Sequence, residues 1–206
     1  MAKKKSKKKA KKKTVKKSVP LKKGINDSIK DAIKFPWAKM QRAFWFWLIL
    51  IPIFGWFPLY GYMLDMMRSV VKGSDKELPK FGKYWDLFAQ GFFYFVFAII
   101  VGVIVQVAIR IPVVGWIIYL YIVLITPMLA VNYAVKKRFG AFFDIGLATK
   151  MVFGNFGAYI VMILKTIVVG LFWLLCSIPI ITLLWTLPAL QFSSGFLLAQ
   201  FYRKHS

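Results

Sequence analysis

Five apolar stretches constrain this chain more than any other feature: Ala43 to Leu64, Gly91 to Ile109, Val113 to Val135, Phe156 to Ser177 and Ile180 to Phe201. Each has roughly the twenty residues that a helix needs to cross about 30 Å of hydrocarbon. A soluble core has no use for so many, and the composition agrees: 59% of the 206 residues are apolar and 18% charged, against about half and about a quarter in soluble domains. The expected fold is all-α, a polytopic membrane helical bundle.

The reactive inventory is thin. One cysteine (Cys176), one histidine (His205) and seven carboxylates provide no thiol pair, zinc cluster or catalytic triad. No catalytic, cofactor-binding or metal-ligating residues are expected, and the chain reads as non-enzymatic.

The charge is concentrated at one end. Residues 1–23 carry 13 lysines without an acid or an aromatic residue, so this tail cannot bury enough surface to fold and is expected to be disordered. It lacks a small-x-small cleavage site and is expected to stay on the mature protein. Nine of these lysines, Lys3, Lys4, Lys5, Lys7, Lys8, Lys9, Lys11, Lys12 and Lys13, present point charges without the guanidinium fork or the aromatic faces that read bases. They suit non-specific phosphate contact, with anionic lipid headgroups first and nucleic acid or ribosome second. Residues 24–42 follow with Ile25, Ile29, Ala32 and Ile33 at helical spacing, which predicts a short amphipathic interfacial helix bent at Phe35-Pro36-Trp37.

Sidedness shapes the membrane domain, residues 43–202, with 203–206 as a C-terminal tail. If all five stretches crossed, eleven cations would lie opposite the lysine tail, against the positive-inside rule. If the first stretch doubles back, 28 basic residues share the cytoplasmic side and only Arg110 lies outside. Ile51-Pro52-Ile53-Phe54-Gly55-Trp56 offers the break. Ile111-Pro112-Val113-Val114-Gly115-Trp116 repeats it, and Ile178-Pro179-Ile180 sits at the corresponding place between the last two stretches. The expectation is three helical hairpins, about 37–71, 91–135 and 156–201, turned at Pro52 and Gly55, at Pro112 and Gly115, and at Pro179. Both termini are then cytoplasmic in a multi-pass cell-membrane protein. The first hairpin has shorter arms, Trp37 to Leu50 and Trp56 to Val71.

After that hairpin come Gly61-Tyr62, Arg68, Gly73, Leu78-Pro79, Phe81, Trp85, Leu87 and Gly91, then Pro127, Tyr133-Ala134 and Ala141-Phe142. This pattern resembles a prokaryotic, largely archaeal family of integral-membrane proteins catalogued as a domain of unknown function, over about residues 35 to 200. The resemblance implies the architecture and brings no reaction, ligand or cofactor.

Arg68 stands three residues from Asp65 and is expected either to pair with it or to meet a lipid phosphate. Lys165 lies inside an apolar stretch, where an ionised group costs about 2.5–3.5 kcal/mol. Snorkelling to the interface, pairing with Asp144 or helix-end carbonyls, and a transport or lipid site are its alternatives. Gln106, Asn132, Asn155 and Gln191 are expected to bridge helices, and Gly91, Gly102, Gly115, Gly157 and Gly170 to let helices approach. The leading functional expectation is membrane anchoring or organisation through a cationic face. The alternatives are a small transporter or channel component, a subunit of a larger membrane complex, and a tether for nucleic acid.

Overall fold

The computed structural model describes residues 25–51, 54–179 and 182–206. The lysine tail and Pro52 lie outside the described residues. Among those described, the regular structure is all helical, with no strand. The α-helices are α1 (Ile25–Lys34), α2 (Met40–Ala43), α3 (Trp56–Val71), α4 (Tyr84–Ala108), α5 (Val114–Lys136), α6 (Ile145–Gly154), α7 (Phe156–Cys176) and α8 (Leu183–His205).

The first apolar stretch does not form one helix, and its leading arm is not α-helical throughout. Phe35–Trp37 is a 3₁₀ turn around Pro36, α2 is a single turn, and Phe44–Leu50 is a second 3₁₀ segment. A 3₁₀ path separates bulky neighbours: Phe46 is fully buried while Phe44, Trp47 and Leu50 face outward. The chain then turns, with the Gly55 N–H donating to the Ile51 carbonyl (2.9 Å) and the Trp56 indole to that of Ile49 (2.8 Å). The expected surface helix over 24–42 therefore ends at Lys34. It buries Ser28, Ala32 and the adjoining Phe35 against α7 and α8 and turns Lys30 and Lys34 outward.

Three helices, α4, α5 and α7, are long and apolar enough to cross a membrane. α8 is as long but carries Gln191, Ser193, Ser194, Gln200 and Arg203, and much of it is buried: it packs against α3, α5 and α7. α4 begins at Tyr84, seven residues before its apolar stretch, because Lys83 is still extended (ψ 129°). Residues 137–155, expected as a loop, hold a 3₁₀ segment Phe139–Phe143 and α6. Lys137 stops α5 in the left-handed conformation (φ 55°), and Asn155 (φ −130°, ψ 38°) separates α6 from α7.

The tightest crossing is between α3 and α4. A Cβ on Gly61 would overlap the Leu87 backbone, and one on Gly91 would overlap that of Phe57. Each helix thus sets a glycine, four residues from a bulky neighbour, under the other's main chain. Around this crossing lie two aromatic cores. Tyr62, Phe46 and Phe192 meet at 5.0–5.3 Å between ring centres, and Phe142 stacks between Phe97 (4.1 Å) and Tyr133 (4.0 Å).

Candidate functional site

The polar ends of the helices gather around Arg68. This residue is only 8% exposed. Its Nε donates to the Ala134 carbonyl (2.5 Å), one NH group donates to Asp65, and the other reaches Gln90 Oε1 (3.0 Å). A single guanidinium therefore joins α3, α4 and the last turn of α5, whose C-terminal carbonyls lack helical partners. Lys137 adds a looser contact to Asp65 at 3.9 Å, and the Gln90 amide donates to the Asp86 carbonyl (3.1 Å).

Three further ties bring distant segments to the same end. Arg203 on α8 donates to the Val70 carbonyl (3.1 Å), capping α3, and to Asp75 (3.3 Å). Glu77 accepts from Lys39 (2.5 Å) and lies 3.5 Å from Arg42, which also donates to the Leu78 carbonyl. Lys136 meets Asp144 at 2.8 Å. The Lys39 and Arg42 contacts bring the two ends of the segment between residues 43 and 71 together. Around these ties Lys72, Lys76, Lys80, Lys83, Lys137, Arg138 and Lys204 are exposed. The end is strongly cationic because Asp65, Asp75, Glu77 and Asp144 each already face a base.

Two of these carboxyls are held below their usual range. For Glu77 the main cause is the hydrogen bond from Lys39, and for Asp144 the one from Lys136.

Asn132 is fully buried, donating to the Ala141 carbonyl (2.8 Å) and accepting from the Tyr202 hydroxyl (3.1 Å). It bridges α5, the Phe139–Phe143 segment and α8. Gln191 reaches the Tyr60 hydroxyl only at 3.5 Å, and Asn155 bonds back to the Met151 carbonyl within its own segment. Gln106 does not bridge helices: it is exposed, as are its neighbours Val103, Ile104 and Val107. Gly102 and Gly157 have open space where a Cβ would sit, so no helix approaches there. Asp144 is occupied by Lys136, so its pairing with Lys165 is replaced; among the described residues Lys165 has no hydrogen-bond or ion-pair partner, and it is half-buried.

Gly55 precedes α3, Pro112 lies between α4 and α5 with Gly115 in the first turn of α5, and Pro179 follows α7. Next to Pro112, Val113 takes φ 61°, a conformation that β-branched residues rarely adopt. Between α3 and α4, Phe81 stacks on Trp45 at 3.9 Å and the Tyr62 hydroxyl donates to the Pro79 carbonyl (2.8 Å), while Trp85 in the first turn of α4 projects outward, 70% exposed. Sequence reasoning did not single out Gln90 or Arg203. Gln90 stands immediately before an apolar stretch and Arg203 immediately after one, and that boundary position was the available signal.

Residues 44–115, from the second 3₁₀ segment through α3 and α4 into the first turn of α5, match a family described as a protein of unknown function (DUF4013). The resemblance expected over residues 35 to 200 is found over this narrower part, less than half of the chain. No curated protein and no solved structure matches the chain.

Proposed function

We propose that this chain is a non-enzymatic integral membrane protein that anchors or organises the membrane, with a cationic face that binds anionic lipid headgroups. The observation that carries the reading is the convergence of exposed bases at the helix ends tied by Arg68, Arg203 and Glu77. Lysines beside a bilayer each contribute at most about 1 kcal/mol toward an anionic leaflet, so a cluster with aromatic neighbours such as Trp85 is what a headgroup layer attracts.

The contacts of Lys39 and Arg42 with Glu77 and Leu78 favour a first stretch that enters and leaves on one side. With α4–α5 and α7–α8 as two further hairpins, the cations share the cytoplasmic compartment with both termini. The exposed Phe44, Trp47, Leu50 and Phe54 of the shorter first hairpin then form a wedge in the inner leaflet. The test is flotation of purified protein with vesicles at low salt. Binding at least tenfold stronger to phosphatidylglycerol-containing vesicles than to phosphatidylcholine vesicles is expected, and equal binding overturns the reading.

A transport role is the second reading, favoured by two helix interruptions, one before α3 at Phe54 and Gly55 and one at Asn155 between α6 and α7. Broken helices expose backbone polar groups to a solute. Solute flux in proteoliposomes, lost when Asn155 is replaced, would favour it over anchoring.

A further inference from the structure

Lys165 occupies the middle of α7 and lacks a counter-charge among the described residues. Asp65, Asp75, Glu77 and Asp144 all face other bases. An ammonium at the centre of a crossing helix is costly, which makes its depth the decisive quantity.

The packing of α1 bears on that depth. Phe35, directly after α1, lies 4.4 Å from Phe196 on α8, and Trp37 lies 6.2 Å from Trp173 on α7. Trp173 in turn donates to Ser193 on α8 (3.1 Å), and Ser177 meets Thr186 (2.7 Å), so α7 and α8 run antiparallel and Phe196 faces α7 between Lys165 and Trp173. The chain after α1 therefore meets α7 one to two turns past Lys165.

Lys165 follows Phe156 by nine residues, about 13 Å along a helix. Its side chain leans toward the helix N-terminus, which shortens that depth further. Exposed Val161, Leu164 and Val168 flank it on one side and buried Met162 and Val169 on the other. The ammonium thus stands at the edge of the packed bundle, open to the lipid side.

We infer that Lys165, on the lipid-facing edge of α7, binds the phosphate of a phospholipid drawn against the bundle. The inference rests on the membrane reading above. It deepens that reading by assigning a discrete lipid site separate from the diffuse cationic end.

Thermal unfolding in a non-ionic detergent tests it. Short-chain phosphatidylglycerol should raise the melting temperature of the wild type by several degrees, while inorganic phosphate at the same concentration should not. Lys165→Gln should lose at least half of that rise, and Lys165→Arg should keep it. A full lipid-induced rise in Lys165→Gln overturns the site, and an equal rise with inorganic phosphate overturns the lipid as ligand. The variants must first be shown to melt cooperatively without lipid; removing a charge from an apolar helix should leave folding intact. In vesicle flotation Lys165→Gln should keep the preference for acidic vesicles, which arises elsewhere. If the wild type lacks that preference while the lipid-induced rise persists, the cationic-face reading fails and the Lys165 site stands.

Discussion

Arg68 shows how much one side chain does here, since three donors meet three elements at distances that only a planar fork can reach at once. Arg68→Gln leaves Asp65 and the Ala134 carbonyl without their partner in a largely buried place, and should destabilise by about 3 kcal/mol. Arg68→Lys should recover only part of this. A fall in melting temperature in detergent, ordered wild type, Lys, Gln, is the expected result. Asn132→Leu should cost about 2–3 kcal/mol because the Ala141 carbonyl and Tyr202 hydroxyl remain buried and unpaired. The depressed carboxyls of Glu77 and Asp144 add a pH dependence with a definite sign. A carboxyl whose folded pKa is lowered stabilises above its ordinary value, about 4, and this contribution is lost as the pH falls through the folded value. Melting temperature should therefore be level from pH 7 to about 5 and decline below about 4. The double variant Glu77→Gln, Asp144→Asn should decline less steeply.

Among elements, the α3–α4 crossing carries the sharpest steric demand. Gly61→Leu and Gly91→Leu must push two main chains apart and should each cost at least about 1–3 kcal/mol. Gly102→Leu, where nothing approaches, should change stability by no more than about 0.5 kcal/mol. The five glycines expected to permit close approach looked alike in the sequence; Gly91 and Gly115 lie against backbone while Gly102 and Gly157 meet open space. Helical spacing identifies a small residue, but it does not say which neighbour will face it. The ends of α5 and α7 were legible to within one residue because long apolar stretches end where polar residues begin. α6 was not legible: its ten residues include Lys150 and two glycines, and it is ordered by contacts with α5, notably Tyr121 to Thr149 at 2.6 Å. The interior proline of α5 has a comparable tertiary partner. Pro127 withholds the donor that the Val123 carbonyl would use, and the Tyr159 hydroxyl of α7 donates to the next carbonyl, that of Leu124 (2.6 Å).

At the scale of the whole molecule, the proposed arrangement depends on nearly all the bases sharing one compartment. Single cysteines at Asp75 and Gly146, in a Cys176→Ser background, should react with a membrane-impermeant maleimide only from the cytoplasmic side of sealed vesicles. A cysteine at Pro112 should react only from the other side. Labelling of Asp75→Cys from the side opposite the termini would contradict the doubling back of the first stretch.

By itself the sequence determined the helical class, the number of long apolar helices to within two, and the cationic character of one end. Hydrophobic run length and charge are additive along a chain and need no knowledge of neighbours. Only the tertiary structure decided that Arg68 is an internal clamp, that Asn132 rather than Gln106 joins helices, and that Asp144 belongs to Lys136 and leaves Lys165 unmatched among the described residues. Those outcomes depend on which polar group lies within about 3 Å of which other, a relation set by helix crossing and not by spacing along the chain.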